Sequence, residues 1–310
     1  MTVLEAIQKS TEFLAKKGVE SPRLQIELLL AHLLKLPRMK LYLNFERTLT
    51  PSETDGLREL VKRRGQREPL QHITGSTSFC GFEINVNRHV LIPRPETEML
   101  AELGWNFLST LHPQPSTALD FGTGSGCIAI ALAAKSLSAK IVATDISPEA
   151  LALAKDNAVR NSVVERIEFV RSDGFSALTN RWGERPREPE AMANDGSPEV
   201  SPHQFDLVIS NPPYIPSAEI ATLQPEVRDF DPREALDGGA DGLDFYRRLA
   251  AETKPFLKPG GKIMLEFGDG QAGDIRNIFE TEKWIVEAVQ EEYSHRERYL
   301  TAKSPPSLSS

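Results

Sequence analysis

Apolar positions recur at helical spacing through the first seventy residues and in strand-length runs thereafter. Val3, Leu4, Ile7, Phe13 and Leu14 define one face over residues 2–17, which predicts an amphipathic helix. Ser21-Pro22 opens a second, with serine as N-cap and proline in the first turn; Leu24, Leu28, Leu29, His32 and Leu33 mark its face. A third runs from Ser52 to Arg64 and is entered through Thr50-Pro51. The pattern changes in residues 70–92, where Phe82-Glu83-Ile84-Asn85-Val86 alternates like a strand between the turn glycines Gly75 and Gly81. Pro93-Arg94-Pro95 then feeds a helix from Glu96 to Ser109, and two readings stand for Arg94: a support of a site rim, or an ion-pair partner of Glu96 or Glu98.

From residue 117 onward, strand and helix patterns alternate. Strands are predicted near 117–121, 140–145, 166–171, 205–210, 262–267, 284–290 and 297–302. Helices are predicted near 126–136, 148–161, 241–256 and 271–282. That alternation predicts an α/β fold, a doubly wound and largely parallel sheet behind a small N-terminal helical bundle. The chain divides into a bundle (1–70), a linking hairpin (71–94), a catalytic α/β domain (95–303) and a tail (304–310). Residues 180–204 are rich in Pro, Glu, Asn, Asp and Ser without an apolar period, and read as a flexible surface insertion.

The strand-like run Phe205–Ser210 is followed by Asn211-Pro212-Pro213-Tyr214. Two prolines cannot continue a central strand, since each lacks the N–H that the ladder needs. The strand stops there and leaves an Asn carboxamide, proline carbonyls and an aromatic ring at its carboxyl end, the edge where open α/β sheets bind ligands. A planar NH2 group is a poor nucleophile because its lone pair is delocalised. The Asn211 oxygen and the Pro212 carbonyl can each accept one of its hydrogens. Both bonds strengthen as the attacking nitrogen gains positive charge, so they favour the transition state. Tyr214 can pack on the flat group and hold its approach. The alternative for this tetrapeptide is a structural turn.

About ninety residues earlier, Thr117–Phe121 leads into Gly122-Thr123-Gly124-Ser125-Gly126 and an apolar helix. Strand, glycine turn and helix together place backbone N–H groups beside a ligand. The next strand ends in Asp145, about 20 residues on, where a ribose diol would be gripped. The third strand ends at Ser172-Asp173-Gly174-Phe175. Asp173 reads either as an acceptor for an adenine amino group, with Phe175 bordering the ring, or as a helix cap or turn residue.

These motifs together resemble class I S-adenosylmethionine-dependent methyltransferases of the amino-methylating branch. Val90-Leu91-Ile92-Pro93-Arg94-Pro95-Glu96-Thr97-Glu98 is similar to the IPRPETE signature of the PrmC/HemK family. The stretches Ala235–Arg248 and Leu257–Gly268 resemble two further family signatures. The resemblance runs from about residue 70 to the end. It implies a seven-stranded sheet with a C-terminal antiparallel hairpin, and methylation of the glutamine of the GGQ motif in peptide chain release factors. It also implies that Gly122 to Gly126 hold the methionine end of S-adenosylmethionine, Asp145 its ribose, and the corner Asp173-Gly174-Phe175 its adenine. Asn211 would bind cofactor-side and substrate groups, and Asn211 through Tyr214, with Pro212 and Pro213, would orient the substrate glutamine. Two departures stand out: glycine at 174, where the family often carries a bulky residue, and Glu292–Arg298 in place of the usual DLAGRDR-like run. Other acceptors stay open, namely a ribosomal-protein glutamine or adenine N6 in nucleic acid, as does a catalytically silent cofactor-binding scaffold.

Charge and composition narrow these options. Residues 1–75 carry 13 Lys and Arg against 9 Asp and Glu, and the remainder carries 23 against 35. A catalytic domain this acidic is a poor partner for nucleic acid. The run Lys62-Arg63-Arg64-Gly65-Gln66-Arg67 reads as a contact for RNA or an acidic protein face, or as a solvated helix face. The bundle reads as a dock for the protein substrate, or as a unit that only packs on the catalytic domain. Two cysteines, Cys80 and Cys127, lack metal spacing and read as reduced thiols of a cytoplasmic protein, and no metal is expected. Glu5 and Lys9 interrupt any signal-like start, and no apolar run reaches membrane-spanning length.

Overall fold

The computed structural model describes residues 1–181 and 204–305. In chain order the helices and strands are α1 (Val3–Lys16), α2 (Pro22–Leu34), α3 (Arg38–Leu41), α4 (Pro51–Gly65), α5 (Leu70–Thr74), β1 (Ser76–Phe79), β2 (Phe82–Asn85), α6 (Pro95–Thr110), β3 (Thr117–Phe121), α7 (Cys127–Lys135), β4 (Lys140–Asp145), α8 (Pro148–Arg160), β5 (Ile167–Arg171), α9 (Ser176–Arg181), β6 (Phe205–Ser210), α10 (Pro225–Arg228), α11 (Asp244–Glu252), β7 (Leu257–Glu266), α12 (Ala272–Thr281), β8 (Ile285–Glu291) and β9 (Glu297–Lys303). The surface insertion expected at 180–204 lies almost wholly outside the described residues, as does most of the tail.

The chain forms two compact units. The first comprises Met1–Ser76, Val86–Arg88 and Leu223–Asp231. Helices α1 and α4 start with reciprocal capping boxes. Thr2 accepts from the Glu5 N–H while Glu5 accepts from the Thr2 N–H, and Thr50 and Glu53 repeat the arrangement. Ser21 differs from expectation: it adopts a left-handed backbone (φ 46°) and caps nothing with its side chain. Val3, Ile7, Leu14, Ile26, Leu29, Leu30, Leu41 and Leu57 form the core of this unit. In the basic run 62–67 the three arginines are ion-paired within this unit, while Lys62 is exposed. Arg63 pairs with Glu68, while buried Arg64 (Nη2, 2.8 Å) and Arg67 (Nη2, 2.6 Å) both bind Glu226. Glu226 belongs to the segment 223–231, which the sequence-derived boundaries assigned to the catalytic domain.

The second unit comprises Thr77–Asn85, His89–Thr222 and Pro232–Ser310. Its sheet has seven strands in the order β5-β4-β3-β6-β7-β9-β8. The first five are parallel, and β9 runs antiparallel to both neighbours, which gives the C-terminal hairpin. Parallel strands covered on both faces are apolar throughout, as in β6, where Leu207, Val208 and Ile209 are fully buried. Every residue of α7 from Cys127 to Ala133 is buried, and burying one isoleucine there contributes about 1.5–3 kcal/mol. Phe175 sits in this core, with ring centroids 5.2 Å from Phe121 and 4.7 Å, stacked, from Phe256. It is therefore a core residue and not the adenine border expected from sequence. The burial of three aromatic faces against one another outweighs leaving one of them exposed to a ligand.

Candidate active site

Register places the functional loops side by side. Phe121 of β3 lies opposite Thr144 of β4. Asp120 lies opposite Ile209 of β6, and Ser210 opposite Leu265 of β7. Asp145, Gly122, Asn211 and Glu266 therefore leave four adjacent strands at the same carboxyl edge, the position where a doubly wound sheet accepts ligands.

The glycine loop is held by acids. Asp120, fully buried, accepts from the Thr123 hydroxyl at 2.6 Å and from the Ala129 N–H in the first turn of α7 at 3.0 Å. Its other oxygen, Oδ1, is buried without a partner. Burial raises its pKa to about 7 against those two hydrogen bonds, and the Asp145 charge adds to the rise. Asp145 accepts from the Gly124 N–H at 2.9 Å and the Ser147 N–H at 3.0 Å. Burial raises its pKa too, against these backbone bonds.

Gly122 (φ +72°) and Gly124 (φ +54°) adopt the left-handed region, and a Cβ on either would point into open space. This side of the loop leaves backbone free to approach a ligand. Gly126 differs, because a Cβ there would lie 3.0 Å from the Ala154 Cβ and 3.3 Å from its carbonyl oxygen. Its missing side chain lets α7 and α8 approach. Ser125 is buried, and its carbonyl accepts from Asn157 Nδ2 at 2.9 Å. Asn157 also exchanges two hydrogen bonds with the backbone of Asn85, so β2 clamps the loop from behind.

At the end of β6, Asn211 Nδ2 donates to the Thr97 hydroxyl at 3.1 Å, and Asn211 Oδ1 is buried with no partner. Thr97, at the start of α6, is itself buried and hydrogen-bonded to Glu266. Burial raises the Glu266 pKa to about 7, opposed by the Thr97 bond and by Arg298. Pro212 is buried, and Pro213 and Tyr214 are half-buried. Burial followed by the Glu266 charge raises the Tyr214 pKa.

The two loops after this turn explain the other sequence signatures. Ile215 donates to the Leu236 carbonyl and accepts from Gly238, and Ser217 Oγ donates to Asp237 at 2.5 Å. A Cβ on Gly242 would lie 2.4 Å from the Tyr214 carbonyl oxygen, so the Asp237–Gly242 turn packs directly on the backbone of the tetrapeptide. Gln271 spans Tyr214 and Gly268, donating to the first carbonyl and accepting from the second N–H. Within the altered C-terminal run, Arg298 Nη1 donates to the Phe267 carbonyl at 2.8 Å, so this position retains a structural role beside Glu266.

The corner at 173–175 is built differently from expectation. Arg248 Nη1 donates to Asp173 Oδ1 at 2.6 Å and Nη2 to its carbonyl at 3.2 Å. A Cβ on Gly174 would lie 2.2 Å from the Arg248 guanidinium. The arginine fills the space that a bulky residue at 174 would take. Sequence reasoning missed Asp120, Thr97 and Glu266 as members of the site. The available signal was a carboxylate at the end of an apolar strand in two cases, since burying an acid on an apolar run needs a reason.

The arrangement fits a nucleoside cofactor with an amino-acid end: an open glycine backbone, a carboxylate with two backbone donors and lone pairs to spare on the neighbouring strand to one side, and a buried unpaired amide oxygen after the neighbouring strand on the other. Comparisons with known proteins agree with that chemistry. The PrmC N-terminal domain matches residues 5–75, and the methyltransferase small domain matches residues 104–185. The release factor glutamine methyltransferase of Geobacter sulfurreducens is 41% identical over 278 residues, covering 90% of this chain and 88% of that one. Its counterpart from Chlorobaculum tepidum is 40% identical over 303 residues, covering 97% and 96%. Among solved structures, the human (hMettl16) catalytic domain in complex with a MAT2A 3′UTR hairpin superposes with a TM-score of 0.50 at 16% identity, covering 73% of this chain and 78% of that one, a likeness of fold alone.

Proposed function

The chain belongs to the family of release factor glutamine methyltransferases, and from that premise we propose that it transfers a methyl group from S-adenosylmethionine to N5 of the glutamine side chain in the GGQ motif of peptide chain release factors. The observation that carries the reading is Asn211: its Nδ2 is tied to Thr97 while its Oδ1 is buried and unpaired. An unpaired buried acceptor costs free energy unless a donor arrives, and a primary amide brings two N–H donors.

The residues divide the work. Gly122, Thr123, Gly124, Ser125 and Gly126 would hold the amino-acid end of the cofactor, and Asp145 would accept from its ribose hydroxyls. Asp173 and Gly174, with Arg248 packed on them, would wall the base. When bound, S-adenosylmethionine supplies an electrophilic sulfonium methyl. Asn211 Oδ1 and the Pro212 carbonyl accept the two amide hydrogens of the substrate glutamine and hold its nitrogen in line. Pro213 and Tyr214 border the flat amide and exclude water. As positive charge builds on the nitrogen both hydrogen bonds strengthen, so catalysis comes from positioning and from these acceptors. The sulfonium methyl bond would break as the N–CH3 bond forms, S-adenosylhomocysteine would be the leaving group, and one of the two amide hydrogens would be lost as a proton to solvent. No covalent enzyme intermediate is required.

The N-terminal unit is read as the recognition module for the release factor, a protein partner met in the cytoplasm and not a nucleic acid. No helix among the described residues is long and apolar enough to cross a membrane. Radiolabelled S-adenosylmethionine, incubated with a release factor and with its variant lacking the GGQ glutamine, tests the proposal. Label is expected in the first alone. Label in both moves the methyl to another residue of the release factor, and cofactor binding with label in neither moves the activity to another acceptor, a ribosomal-protein glutamine or adenine N6, or marks a silent scaffold.

A further inference from the structure

The buried chain of polar groups beneath Asn211 has its own logic. Asn211 Nδ2 donates to Thr97 Oγ1 at 3.1 Å, and the Thr97 hydroxyl is hydrogen-bonded to Glu266. Thr97 is 3% exposed and Glu266 2% exposed, and the second Glu266 oxygen, Oε2, has no partner. A hydroxyl has one hydrogen. If Thr97 gives it to an ionised carboxylate, its oxygen can only accept from Asn211, and the amide must point its NH2 inward and its oxygen outward. If Glu266 is protonated, it can donate to Thr97, whose hydrogen is then free for the Asn211 oxygen. The amide then turns over and presents donors where the substrate amide also presents donors.

We infer that Glu266 and Thr97 are positioning residues that set the direction of the Asn211 amide, so that a carboxylate out of reach of the substrate decides whether the site presents an acceptor. This deepens the methyl-transfer reading and rests on it. The groups facing Glu266 are Arg94 and Glu96 at the start of α6, Tyr214 after β6, Tyr246 on α11, and Arg298 and Tyr299 on β9. Tyr246 donates its hydroxyl to the Glu266 backbone carbonyl at 2.8 Å and Tyr299 donates to the Glu96 carbonyl at 2.6 Å, so neither hydroxyl hydrogen is spent on the carboxylate. Among the described residues, Thr97 supplies the side-chain hydrogen bond to the carboxylate, and Tyr214 acts on it through charge. Burial brings the Glu266 proton into the range near pH 7, where the direction can reverse.

Two readouts test this. The first needs no substrate: in enzyme labelled with 15N-asparagine, the Asn211 side-chain NH2 pair, assigned by its loss in Asn211→Ala, is followed with pH. The pair is expected to shift in one step near neutrality, to lose that step in Glu266→Gln, and to move to unbonded positions in Thr97→Val. The second is turnover. Thr97→Val should lower kcat on the order of 10- to 100-fold with cofactor Kd within about twofold, and Thr97→Ser should restore most of it. Wild-type kcat should fall on the acid side of neutrality, and Glu266→Gln should remove that limb. An Asn211 pair indifferent to pH and to Thr97→Val overturns the inference even if glutamine methylation is confirmed. A responsive pair in an enzyme that methylates no release factor upholds the inference and moves the failure to the substrate assignment.

Discussion

The Ser210 hydroxyl donates to the Phe121 carbonyl at 2.6 Å, tying the last residue of β6 to the last residue of β3. Both are buried, and the residues that follow them are Asn211 and Gly122. One hydrogen bond thus joins the proposed acceptor turn to the proposed cofactor loop. Ser210→Ala removes it and leaves a buried carbonyl short of a donor, so we predict a stability loss of about 1 kcal/mol. Turnover should fall more than cofactor affinity does, because the distance between the two loops is what the bond fixes. Urea unfolding together with kcat and Kd measurements checks this.

Asn211→Ala deletes an acceptor whose hydrogen bond to the substrate amide strengthens as the nitrogen reacts. Turnover should drop by about 10²–10³-fold, the scale of losing one preorganised charge-stabilising group. Cofactor Kd should change far less. Near-normal turnover in this variant would remove Asn211 from the mechanism.

Asp145 contributes on the binding side. Its carboxylate holds the Gly124 N–H and would receive the ribose hydroxyls. Asp145→Ala should weaken cofactor binding by about 10- to 100-fold, equivalent to roughly 1.5–3 kcal/mol for hydrogen bonds to a charged group. Calorimetry showing unchanged affinity would place the ribose elsewhere.

Stability should vary with pH in a defined direction. Burial raises Asp120 and Glu266 from 3.8 and 4.5 to about 7. Between their ordinary and raised values the folded protein holds protons that the unfolded chain releases, so stability rises as pH falls from about 8 to about 5. At lower pH the trend reverses as depressed carboxylates protonate. Asp241, held to about 2 by Arg247, is one. Glu226, held down by Arg67 and Arg64 against its own burial, is another. Asp120→Asn should flatten the upper limb, which thermal melts at about pH 5, 6.5 and 8 would reveal.

Within the first unit, Glu226 is the anion between Arg64 and Arg67. Glu226→Ala strands a buried arginine that keeps, among the described residues, Gln25 and the Glu68 carbonyl. The expected destabilisation is up to about 3 kcal/mol, read by denaturant unfolding, since breaking a buried pair costs more than the pair itself contributes. A change below about 0.5 kcal/mol, the range of ordinary surface substitutions, would show that segment 223–231 is not anchored this way.

Much of the second unit is legible because its signals are local. An apolar run stopped by Pro212-Pro213 marks a strand end, and the glycine turn before an all-apolar helix marks another. The acid at 145 follows at the expected distance, and all three meet at one sheet edge. What is not legible depends on partners far apart in the chain. Thr97 and Asn211 are 114 residues apart, and Arg64 and Glu226 are 162 apart. Periodicity says which face is apolar, not which polar groups pair across it. For that reason the sequence does not show that the three arginines of the run 62–67 are ion-paired, two of them with Glu226. Phe175 departs from expectation for a related reason: an aromatic beside a proposed ligand corner reads the same whether it faces the ligand or stacks, as it does, on Phe256.

The most direct test of the account is to locate the methyl group. A release factor methylated by this enzyme, digested and fragmented in a mass spectrometer, should carry one added methyl on the glutamine of its GGQ peptide, on the side chain and nowhere else. A methyl on any other residue, or an unmodified GGQ peptide after full incubation with enzyme that binds S-adenosylmethionine, would contradict it.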